Sequence, residues 1–186
     1  TSLAPAPHML FTKLRELAPA VKRIHVIHGA DDNDWLIELA RGEAAKLGYE
    51  LVAQRKESIR DGASAYRDLL KQVESPQDAI WLLQASPFLD ENSVLQMVLR
   101  AAWDHNLVVF SSNPSHVPKG ALFALFPDNN AMGRHFAQQL RKPSPASATL
   151  LPLEQLDTAI NIRTADHLGL GLNAGDARFD MVFPNR

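Results

Sequence analysis

Side chains able to do chemistry gather in short polar stretches that follow apolar runs. Ala30, Asp31, Asp32 and Asn33 come after Gly29, Gln84 and Ser86 follow a second run, Ser111, Ser112 and Asn113 a third, and Asp128 and Asn129 a fourth. Carboxylates in such places can hold a divalent cation, accept bonds from the N–H groups that open a helix, or face a cationic ligand. Two carboxylates make an incomplete metal site, so helix capping is the preferred reading of Asp31, Asp32 and Asn33. A phospho-receiver would need an acceptor aspartate after the third strand, where Gln84, Ala85 and Ser86 stand instead. Ser111 and Ser112 lack a G-x-S-x-G frame and an identifiable base, so their hydroxyls are offered to a ligand or to the next backbone turn.

Histidines 8, 25, 28, 105, 116, 135 and 167 show no HExxH and no paired helical spacing, which argues against a metal centre. They read as scattered surface or edge residues, with His28 and His116 on loops where they could touch a ligand. Gly29 stands alone, unlike a glycine-rich phosphate loop, and no cofactor is expected. Trp81 and Trp103 fall on apolar faces and read as core. Trp35, on the first turn of a helix, could line a cleft, although core is again the preferred reading.

These loops need elements to hold them. Ile24, Val26 and Ile27 make a short β-branched run, so 23–28 reads as a buried strand. Trp35, Leu36, Leu39, Ala40, Ala44 and Leu47 then recur at helical spacing up to Gly48. The alternation continues with strands at 50–54, 79–83, 107–110 and 121–126. Helices are expected at 58–73, around 94–102 and around 132–140, preceded by a short one at 9–17 that Pro19 closes. The tail adds a strand at 158–162, a short helix ending at Gly169 and a last strand at 179–183. This order predicts an α/β fold with a doubly wound, mostly parallel sheet, whose ligands collect at the carboxyl ends of strands. Residues 1–142 read as a ligand-binding lobe with an N-terminal connector, 143–157 as a Pro-rich linker, and 158–186 as a strand–helix–strand segment.

Bulk properties narrow the partners. The 186 residues suffice for one sizeable core, and the net charge of -2 gives no basic field for nucleic acid. No apolar run is long enough to span a membrane, and the first residues show no signal-peptide pattern. The chain has no cysteine, which fits either cytoplasm or periplasm. The Thr1 start reads as that of a processed or excised piece.

With the elements placed, the chain resembles the C-terminal lobe of the ABC-transporter substrate-binding family that includes tryptophan- and tyrosine-type periplasmic binding proteins. The stretches that carry this are LRELAPAVKRIHVIHGADDND, AAKLGYELVAQ, VVFSSNPSHVPKGALFALFPDNNAMGRHFAQQL and INIRTADHLGLGL, which together cover most of the chain in order. The resemblance implies one flavodoxin-like lobe of a type I periplasmic-binding fold, a small-molecule ligand such as an amino acid, and no catalysis. It also implies a periplasmic or otherwise extracytoplasmic location and an ABC permease or a sensor as partner. Carried over by position, the cleft-facing loops are 30–33, 84–87, 111–115 and 126–129. The first loop departs from the family by being acidic, which would suit an amine-bearing compound, and the family's preceding lobe is absent before Thr1. Two other classes stay open: a protein-interaction module on this fold, and an enzyme using Asp31, Asp32 or His28.

Overall fold

The β-branched run forms strand β1 (Arg23–Gly29), whose last four residues are all buried. The computed structural model describes residues 2–29, 33–84, 86–139 and 150–184. Before β1, helix α1 (Pro7–Leu17) opens on a proline, whose fixed φ suits a first helical turn, and buries Leu10, Phe11, Leu14 and Leu17. Helix α2 (Asp34–Leu47) ends where Gly48 adopts φ 78°, a left-handed conformation that glycine reaches without a Cβ clash. Its buried face is Leu36, Ile37, Ala40 and Ala44. Leu39, expected on that face, is 37% exposed because Ile37 occupies the arc turned to the sheet.

Strand β2 (Glu50–Lys56) leads to helix α3 (Ile59–Leu69), whose start is capped by Ser58 Oγ accepting the Asp61 N–H at 3.1 Å. The expected helix to residue 73 stops at Leu69, and Ala65 rather than Ala63 lies in the core. Then come β3 (Asp78–Leu82), α4 (Val94–Asp104), β4 (Val108–Ser111), β5 (Phe123–Pro127) and α5 (Asn129–Gln139). The chain closes with β6 (Leu156–Asn161), α6 (Ile162–His167) and β7 (Met181–Phe183).

The sheet order is β2-β1-β3-β4-β5-β6-β7. The first five strands are parallel, β6 runs antiparallel to β5, and β7 is parallel to β6. The fold class is therefore a doubly wound, mostly parallel α/β sheet of the flavodoxin-like kind. Alternation along each strand feeds two cores. Val26, Trp81 and Phe110 meet α1 and α2 on one face, while Ile27, Ile80 and Val109 meet α3 and α4 on the other.

Trp103 is a correction to the sequence reading: it is 37% exposed and not core. Its ring is stacked on His167 of α6, with centroids 3.7 Å apart, and the Arg163 guanidinium lies 5.3 Å from its centroid. Phe136, an apolar position of α5, is likewise exposed, and Leu140 lies outside the described residues. Of the proline-rich stretch, 143–149 also lies outside them. Residues 151–153 run beside 4–6: Leu153 N–H donates to Ala4 O at 2.8 Å, and Ala6 N–H to Leu153 O at 2.9 Å. Leu156 and Asp157, assigned from the sequence to the linker, are the first residues of β6.

At the amino ends of the strands Asp78, with its side chain 1% exposed, gathers four donors. Arg23 donates from Nε at 2.6 Å and Nη2 at 3.0 Å, Glu74 N–H donates at 2.6 Å, and His25 Nε2 lies 3.1 Å away. Burial pushes the Asp78 carboxyl up, but Arg23, the Glu74 N–H and His25 outweigh it and hold it at about 2.

Removing this carboxylate should therefore be severe. Asp78→Ala is expected to lower the unfolding free energy in urea by about 3–5 kcal/mol, since it leaves Arg23 and His25 facing an empty buried position. Between about 2 and 4 the folded state binds fewer protons than the unfolded chain, so the Asp78 contribution is complete above the unfolded carboxyl value of about 4, where both states are ionised. It is lost as the pH falls toward 2. Asp78→Asn should flatten that part of the acid limb in a stability–pH profile.

Candidate functional site at the carboxyl edge of the sheet

The chain reverses direction in the sheet between β1 and β3, so the loops after β1, β3, β4 and β5 line one edge, where an open α/β sheet leaves a crevice. Ala30, Asp31 and Asp32 of the first loop lie outside the described residues. Asn33 precedes α2 and makes no side-chain cap to it; its carbonyl accepts the Ile37 N–H at 2.9 Å instead. The acid that anchors this corner is Asp34, with Oδ1 3.2 Å from His28 Nδ1 and Oδ2 3.5 Å from Arg55 Nε. His28 is buried, and its Nδ1 also lies 3.1 Å from Gly29 O. Trp35 is half-buried and packs against the core formed with α1 and α2.

The loop after β3 is pinned from below. Phe88 is buried against α3 at Gly62, where an added Cβ would lie 2.3 Å from the Phe88 ring. Ser86 is half-buried, with its Oγ beside the buried Tyr66 hydroxyl, which burial pushes well above the ordinary phenol range. Gln84 is exposed at the tip.

After β4 the two serines are buried and engaged. Ser111 Oγ lies 2.8 Å from His116 Nδ1 and 3.2 Å from Leu82 O, and it accepts the Asn113 N–H at 2.9 Å. Ser112 Oγ accepts the Trp81 indole N–H at 3.0 Å. Of the two uses expected for these hydroxyls, Ser111 serves the backbone turn, whereas Ser112 serves neither and instead holds the core indole. Asn113 Oδ1 accepts the Ser115 N–H at 3.0 Å, which starts the 3-10 turn Pro114–His116. His116 is itself buried, and burial together with Lys119 lowers its pKa. The Ser111–His116 pair thus resembles a nucleophile and base by distance only, since both side chains are sealed from solvent.

After β5, Asp128 Oδ1 accepts the N–H groups of Asn130 and Ala131, each at 2.9 Å, and its own N–H donates to Gln155 O at 3.0 Å. Asn129 is exposed at the start of α5. Two further acids reach this corner without any signal in the sequence. Asp157 faces Phe126 in the antiparallel register, and Asp180 accepts the Thr158 N–H at 2.7 Å. Burial raises the Asp157 pKa, and the charges of Asp180 and Asp128 raise it further. The edge therefore offers carboxylates and amides to a polar ligand. A separate open groove runs between α4 and β7, bordered by Gln96, Arg100, Lys119, Arg163 and Phe183.

Two substitutions report on how this edge is held. Ser112→Ala should cost about 1–3 kcal/mol in denaturant unfolding, because the buried Trp81 N–H loses its acceptor. Gly62→Ala should cost about 1–3 kcal/mol by driving a methyl into the Phe88 ring, and Phe88→Leu in the same chain should return part of that loss in a thermal melt.

No protein-family model matches the chain, and no curated protein matches it. Solved structures do. A conserved domain protein from Vibrio cholerae O1 biovar eltor superposes with a TM-score of 0.70 at 25% identity, covering 98% of this chain and 61% of that one. An ABC domain from Streptococcus pneumonia in complex with L-Trp gives 0.70 at 19% identity, covering 96% and 60%. A ligand-free, open substrate-binding protein with adhesive properties from Clostridium difficile gives 0.65 at 16% identity, covering 95% and 59%. The chain spans about three-fifths of the length of these proteins. Its flavodoxin-like α/β architecture is that of a lobe of the type I periplasmic-binding fold.

Proposed function

We propose that the chain is a non-enzymatic small-molecule-binding domain that forms one wall of a ligand cleft in a substrate-binding protein for ABC uptake or sensing. The observation that carries this reading is the coincidence of two facts. Polar loops from four strands share the carboxyl edge, and nearly the whole chain superposes on a domain solved with L-Trp. Ala30, Asp31, Asp32, Asn33, Trp35, Gln84, Ser86, Asn113, Asp128 and Asn129 are the wall's contact positions, and Ser111 and Ser112 hold its β4 loop from inside. Carboxylates grouped at Asp128, Asp157 and Asp180 would favour a ligand bearing an ammonium group, which an amino acid supplies. Such a domain works outside the cytoplasm and hands its ligand to a permease or reports it to a sensor.

A second reading is a protein-interaction module on the same fold. It is favoured by Leu3, Leu150 and Leu151, each more than half exposed, on the two segments that run side by side into the domain.

The deciding experiment is a thermal-shift screen of the chain against amino acids, nucleosides, sugars and short peptides, followed by calorimetry on hits. A saturable shift with an amino acid is expected, and Asn129→Ala should weaken it about ten-fold with no change in the ligand-free melting temperature. A folded sample that shifts with none of these compounds would overturn the reading.

A further inference from the structure

We propose that the chain pairs with a second copy of itself along the outer edge of β2, antiparallel about a two-fold axis at Ala53. β2 ends the sheet and buries none of its seven residues, whereas every residue of β3 is buried. Its ladder with β1 sets which main-chain groups face inward. Glu50 sits opposite Arg23 and its N–H donates to Lys22 O at 2.9 Å, so Glu50, Val52, Gln54 and Lys56 turn their main-chain groups toward β1. The alternate residues Leu51, Ala53 and Arg55 turn theirs outward. That outward set is symmetric about Ala53. Two copies with Ala53 opposite Ala53, and Leu51 opposite Arg55, would form about six main-chain hydrogen bonds.

The side chains select this register. In it Glu50 of each copy stands opposite Lys56 of the other, at non-hydrogen-bonded positions where side chains approach most closely. A slip of two residues loses both pairs, and a parallel arrangement in register sets Glu50 against Glu50 and Lys56 against Lys56. Charges commonly guard an edge strand against pairing. Here opposite signs at opposite ends repel a parallel neighbour and attract an antiparallel copy. Between them Leu51, Val52, Ala53 and Gln54 form an uncharged, half-exposed stretch.

Because the chain has no cysteine, Ala53→Cys introduces a lone thiol. Its two Cα atoms would stand about 5.5 Å apart across the axis, within disulfide range. Sedimentation equilibrium of the unmodified chain should show a reversible dimer, and mild oxidation should trap the cysteine variant as a covalent dimer. Lys56→Glu or Glu50→Lys alone should weaken dimerisation about ten-fold, and the double swap should restore it. Circular dichroism and melting of each variant separate misfolding from lost pairing. A chain that stays monomeric while the position-53 thiol stays reduced overturns the proposal. So does a dimer that neither cross-links at 53 nor responds to the charge swap.

Discussion

A parallel sheet covered on both faces has to bury Trp81 at its centre, and the indole N–H must then find an acceptor inside the protein. Ser112 supplies it. The ring lies parallel to Phe110 with centroids 6.4 Å apart and meets Phe11 of α1 edge-on at 5.5 Å, while Phe110 stacks in turn on Phe123 at 5.3 Å. One aromatic row therefore crosses β3, β4 and β5 and seats α1 over it. The same contact fixes the start of the loop after β4, since Ser112 N–H also donates to Leu82 O at 2.9 Å. The carboxyl edge is thus shaped from the core outward.

The two ends of the strands differ in their electrostatics. At the amino end Asp78 is surrounded by donors and stays ionised. At the carboxyl end Asp157 has Asp128 and Asp180 near it, and its pKa rises. Charge satisfied within the chain stabilises the fold, whereas carboxylates facing one another can gain from a cation brought from outside. That asymmetry puts mutually repelling carboxylates at the carboxyl end of β5, on the far side of the sheet from the β1–β3 switch in strand order.

Much of the fold was legible locally. The apolar spacing of 36–47 and 94–102 and the β-branched runs at 24–27 and 79–82 are properties of short windows. Boundaries shifted by a few residues, as when β2 ran on to Lys56 and α3 stopped at Leu69. Faces were less legible, because a helix's apolar arc is wider than the part that reaches the sheet: Leu39 was passed over for Ile37, and Trp103 found its contacts on α6. The candidate edge was located by strand order, but the state of its hydroxyls was not.

The sequence by itself determined the alternation of strands and helices, the doubly wound class and the edge on which the polar loops lie, because each rests on periodicity and turn residues within a few positions of one another. Only the tertiary structure decided that Ser111 and Ser112 are engaged with His116 and Trp81, that Asp78 draws together Arg23 and His25, and that Asp157 and Asp180 join Asp128. Most of these contacts join residues separated by long stretches of chain, and all depend on strand register and loop path. The antiparallel return of β6 against β5 is the clearest case: the register that brings Asp157 opposite Phe126 comes from packing across the sheet and leaves no mark in any local window.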